Sequence, residues 1–62
     1  MCESSAYLLE DGEETLLLES VDLLESLDGQ VYIQSMFGEK RRLRARVKTL
    51  SLIDHKIILE PV

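Results

Sequence analysis

Cys2 is the chain's one cysteine, and its position rather than its number makes it chemically interesting. A thiolate at the second residue lies within chelate reach of the amino terminus. With Met1 removed, Cys2 offers an α-amine and a thiolate to the same ion. With Met1 retained, the Met1 amine, the Cys2 amide nitrogen and the Cys2 thiolate can combine. Nitrogen–thiolate sets of this kind suit square-planar Ni(II) or Cu(II) far better than calcium or magnesium. One chain supplies too few ligands to close such a site, whereas two chains about a twofold axis supply a matched set. The competing reading is a frayed, inert N-terminal cysteine.

The second candidate is the stretch from Glu39 to Thr49, EKRRLRARVKT, which holds six of the seven basic residues. From Arg42 it alternates with a period of two residues. Arg42, Arg44, Arg46 and Lys48 fall on one face, and Leu43, Ala45 and Val47 on the other, as in a strand with one wet and one buried side. Such a ladder could contact RNA phosphates while Tyr7, Tyr32 or Phe37 stack on bases. It could equally pair with acidic neighbours across the sheet or remain solvated. Residues 1–39 contain ten acids and no Lys or Arg, while residues 40–62 hold seven basic residues against Asp54 and Glu60. The halves are therefore electrostatically complementary to one another, and the overall charge of −5 disfavours non-specific nucleic-acid binding.

Catalytic chemistry has little to work with. The single His and single Cys show no spacing that would converge with a third group, and the carboxylates fall on wet faces. His55, between Asp54 and Lys56, reads as an exposed turn residue without a second metal ligand nearby. The expected class is a non-enzyme.

The elements that must position these groups read mainly as short strands. Ser4 to Glu10 forms the first, followed by an Asp11-Gly12 turn and a return strand from Glu14 to Leu18. Residues 13–27 are ambiguous. Leu17, Val21 and Leu24, and likewise Leu16, Leu23 and Leu27, fall at helical spacing in a stretch rich in good helix formers. The same stretch also divides into strands Glu14–Leu18 and Val21–Leu27. Asp28-Gly29 marks a second hairpin turn. Gln30 to Phe37 follows as a strand with Val31, Ile33, Ser35 and Phe37 on one face, and Gly38 ends it. Glu39 to Ile53 exceeds an ordinary strand of about 5–6 residues, so a bend or bulge is expected near Arg44-Ala45-Arg46. Asp54-His55 turns the chain into a last strand, Lys56–Glu60, which Pro61 stops. The expected fold is all-β, a small barrel or sandwich of about six or seven short antiparallel strands.

The 62 residues make one small domain. A chain of this size buries only about 60% of its unfolded surface, and such domains often recruit a metal or a second subunit. No apolar run approaches the roughly 20 residues of a membrane span, no signal peptide opens the chain, and a lone cysteine does not suggest an oxidising compartment. A soluble, cytoplasmic protein is expected.

The order of features also resembles a known family. Met1-Cys2-Glu3, Asp28-Gly29-Gln30-Val31, Phe37-Gly38-Glu39 and the segment Leu52 to Leu59 together look like the CooT family. Its members are small nickel-binding proteins linked to carbon monoxide dehydrogenase maturation, many also labelled predicted RNA-binding. The resemblance implies a barrel-like all-β fold, a homodimer, and one Ni(II) held through Cys2 with the adjacent Met1 amine or Cys2 amide. It favours two strands over a helix in residues 13–27. The density of Lys40, Arg41, Arg42, Arg44 and Arg46 exceeds what nickel handling requires, which keeps RNA as an alternative partner.

Overall fold

Two Asp-Gly pairs set the first three strands of the computed structural model, which describes residues 4–62. Strand β1 (Ser4–Glu10) returns as β2 (Glu13–Leu27) through Asp11 and Gly12, both left-handed at φ 54° and 81°. Positive φ at both central residues gives the turn whose twist matches that of paired strands, and Asp and Gly tolerate it. Strand β2 returns as β3 (Gln30–Ser35) through Asp28-Gly29, where only Gly29 is left-handed, at φ 77°. Then follow β4 (Lys40–Leu43), β5 (Ala45–Ser51) and β6 (Lys56–Pro61).

The strand order is β4-β3-β2-β1-β6-β5. Strands β4 and β5 therefore lie at opposite ends of the hydrogen-bonded order, although Arg44 alone separates them in the chain. One residue cannot cross a flat sheet of six strands, so the sheet must curl until its two edges approach. The result is a half-barrel. The all-β expectation holds, with one addition: β1 and β6 pair in parallel, from Ser5 with Lys56 to Leu8 with Leu59, while the other pairings are antiparallel. The parallel pair attaches the β5–β6 hairpin to the first strand and makes the curl continuous.

Residues 13–27 form neither a helix nor two separate strands. They make one strand of 15 residues that changes partner along its length. Its first part pairs with β1 and its second with β3, and Val21 faces both Ser4 and Ser35. Ser20, at φ 57°, redirects the backbone between the two parts. The strand expected to run to Phe37 ends at Ser35, and Phe37 leaves the buried face for the following turn, 78% exposed. The expected bend in the basic stretch lies at Arg44. The last strand continues through Pro61, paired with Ala45.

The core fills the concave side. Ala6, Leu18, Val21, Val31, Ile33, Ala45, Ile57 and Leu59 are buried, with Leu8, Leu17, Leu24, Leu43 and Val47 packed against them. Every strand except β4 contributes a buried residue, and β4 contributes half-buried Leu43. Among the described residues, no helix is long and apolar enough to cross a membrane.

Candidate functional site

The first described residues of β1 are held from two sides. The Ser5 N–H donates to the His55 carbonyl at 3.0 Å, and Ser4 pairs with Val21 of β2. The Met36 N–H donates to the Ser20 carbonyl at 2.8 Å, so the β3–β4 turn abuts the same end of the half-barrel. That end therefore collects the start of β1, the bend of β2 and the turn between β5 and β6. Met1 and Cys2, the metal ligands expected from the sequence, lie outside the described residues. Among the described residues no group of three or more His, Cys, Asp or Glu is arranged to hold a metal ion. His55 is exposed and left-handed at φ 53°; the fold uses its carbonyl.

The surroundings of this end are apolar. Leu50, Leu52 and Ile53 are 58%, 75% and 90% exposed on the β5–β6 hairpin, next to the turn that anchors Ser5. Apolar side chains this exposed on a small domain commonly mark a contact surface.

The four residues of the basic ladder occupy distinct environments. Arg42 lies on β4 opposite Tyr32, its guanidinium carbon 5.8 Å from the ring centroid, within cation–π range. Arg44 is the connector itself and shares a shallow hollow with Asp28, Gly29, Gln30 and Val62. Arg46 faces Glu60 across β5 and β6 and binds it at 2.7 Å. Lys48 sits at a register shift between Val47 and Thr49, where β5 carries one residue more than β6. Among the described residues, Lys40, Arg41, Arg42, Arg44 and Lys48 have no carboxylate partner, since the ion pairs there are Arg46–Glu60 and Lys56–Glu14. Charge repulsion among neighbours is relieved by exposure: all five lie in water.

Two arrangements escaped sequence reasoning. Lys56 binds Glu14 at 2.8 Å and lies 5.1 Å from the Tyr7 ring centroid, joining three strands on the outer face. The hydrogen bond to the Glu14 carboxylate, reinforced by its charge, raises the lysine above its ordinary value of 10.5. These residues come from distant points in the chain, so no local pattern announces them. Ser35 is the other. It is 1% exposed, and its Oγ accepts the N–H groups of Phe37 and Glu39, each at 3.1 Å. A serine three residues before a glycine was the available signal.

These features define a class: a small all-β half-barrel with a basic edge and a lone thiol close to the start of its first strand. Comparison with known proteins makes the class specific. The chain matches the family model described as "CO dehydrogenase accessory protein CooT" over residues 1–60, and it belongs to that family. It is also similar to a solved structure, "Crystal structure of putative CooT from Carboxydothermus hydrogenoformans", at 36% identity and a TM-score of 0.89, with 98% of each chain covered. No curated protein matches it.

Proposed function

We propose that this accessory protein carries Ni(II) for carbon monoxide dehydrogenase, binding it through Cys2 at a site shared by two copies of the chain. The observation that carries this reading is the family match, which spans Cys2, together with the absence of any other thiol in the sequence. The donor chemistry agrees. The Cys2 thiolate and the amine or amide nitrogens of Met1 and Cys2 form the nitrogen–sulfur set that Ni(II) prefers in planar geometry. Nickel is cargo here, so binding through few protein ligands favours its later release.

Sharing the site requires two N-terminal segments to meet. The exposed Leu50, Leu52 and Ile53 lie beside the turn that fixes Ser5. Burying that apolar tip between two copies would bring both segments together while removing the exposed hydrophobic surface from water. The proposed assembly is a homodimer.

The test is a Ni(II) titration of the reduced protein followed by ultraviolet-visible absorption. Thiolate-to-nickel charge-transfer bands saturating at one metal per two chains are expected. Cys2→Ser should abolish them while the far-ultraviolet circular dichroism is retained. Stoichiometric binding that survives in Cys2→Ser would overturn the assignment.

A second reading, RNA contact through Arg42, Arg44, Arg46 and Lys48, is favoured by Arg42, Arg44 and Lys48, which make no ion pair among the described residues, whereas Arg46 is held by Glu60. It requires affinity that falls steeply with added salt.

A further inference from the structure

Strand β4 pairs with β3 on one side, and no described strand pairs with its other side. Edges of this kind are templates for another strand, and proteins normally guard them with charge. Here the guard has one sign. Lys40 and Arg42 point to the outer face. Arg41 is opposite Ile33, which is fully buried, and so shares the inner face with Leu43. An incoming strand would therefore meet cations on both of its faces. Among the described residues Lys40, Arg41 and Arg42 make no ion pair, with Glu25 lining one hollow with Tyr32 and Arg42 on the outer face, and Arg41 donates to the neighbouring Lys40 carbonyl at 3.1 Å.

The charge pattern selects the occupant. Opposite charges directly across a strand pair are favourable and like charges unfavourable, so a basic edge accepts an acidic strand and rejects a basic one. The sheet ends of a second copy do not supply the match, because β4 and β5 carry Lys40, Arg41, Arg42, Arg46 and Lys48 and no acid. RNA fits less well than a polypeptide. It has no backbone donors and acceptors spaced to pair with a strand edge. The Tyr32 face that could stack on a base already has Arg42 over it. The overall charge of −5 opposes a polyanion beyond the immediate patch.

We propose that the free edge of β4, Lys40–Leu43, docks an extended acidic segment of another protein, which adds to the sheet as a further strand. Backbone hydrogen bonds would hold the segment, and its carboxylates would pair with Lys40, Arg41 and Arg42. The proposal does not depend on nickel.

The probe is a short fluorescein-labelled peptide of alternating Glu and Thr, titrated with the protein and followed by anisotropy. Three controls accompany it: a peptide with Lys replacing Glu, the Glu peptide N-methylated at alternate positions, and a single-stranded RNA of similar charge. The Glu peptide should bind with an affinity that falls as salt is added. Lys40→Glu combined with Arg42→Glu should weaken it by about tenfold or more, and Arg41→Glu alone should weaken it measurably should the double variant fold poorly. Cys2→Ser should leave it unchanged. N-methylation keeps the carboxylates and removes backbone donors, so it should abolish binding. Equal binding of the N-methylated peptide would overturn strand addition. Tighter binding of the RNA, lost in the same variants, would reassign the edge to nucleic acid, and failure of the Glu peptide to bind would overturn the proposal outright.

Discussion

Ser35 closes the turn that leads into the basic edge. Its buried hydroxyl accepts two backbone N–H groups, and its own N–H donates to the Glu39 carbonyl at 2.8 Å. Ser35→Ala would leave the Phe37 and Glu39 donors without that acceptor, at a cost of about 1–3 kcal/mol. Urea denaturation should show the loss as a lowered midpoint with an unchanged slope; an unaltered midpoint would mean water replaces the hydroxyl without penalty. The residue scale also shows what kind of chemistry a sequence displays. Cys2 stands out because a lone thiol near an amine is reactive whatever the fold does. Ser35 does not, because a serine becomes a turn organiser only once its surroundings exclude water. Phe37 misled for the converse reason. Its type belongs in a core and alternation placed it there, but the Ser35 turn ends the alternation before it.

Strand β2 shows how elements are chosen by their neighbours. Leu and Glu favour helix locally, and consecutive Leu16, Leu17 and Leu18 give no clean alternation. The strand exists because β1 and β3 each hydrogen-bond to part of it, a nonlocal gain that outweighs propensity. Ser20 is the point at which one partner gives way to the other, and its left-handed backbone is unfavourable for most side chains. Ser20→Asn should be tolerated, since asparagine enters that region readily. Ser20→Val should cost about 1–2 kcal/mol, read as a drop in thermal midpoint relative to both wild type and the Asn variant. Equal midpoints for Val and Asn would show that the bend can move along the strand. By contrast, both Asp-Gly turns and the bend at Arg44 were legible, because turn chemistry and strand length are local properties. The division of the basic ladder between two sheet edges was not. Alternation is unchanged by a one-residue connector, so the pattern of Arg42, Arg44, Arg46 and Lys48 reads the same on one strand or two.

At the scale of the molecule, the exposed tip formed by Leu50, Leu52 and Ile53 is the surface least suited to a monomer. Ile53, at 90% exposure, contributes nothing to the core, so Ile53→Asp should leave the fold intact. If that tip joins two copies, light scattering after gel filtration should shift from dimer mass to monomer mass, and nickel stoichiometry should change with it. A dimer that persists in Ile53→Asp would place the interface elsewhere. The overall all-β class followed from turns and alternation. The strand order did not, because pairing of the first strand with the last depends on closure of the whole chain.

The parallel pairing of β1 with β6 has a mechanical consequence. Tension applied between the start of β1 and the end of β6 pulls these neighbours in opposite senses along their common axis. The hydrogen bonds joining Ser5–Leu8 to Lys56–Leu59 are then loaded together, in shear. An antiparallel hairpin pulled at its open end would instead peel apart one bond at a time. Forced extension is governed by the unfolding barrier rather than by equilibrium stability. A domain with little core to spare thus resists being drawn out from its ends more firmly than its size suggests.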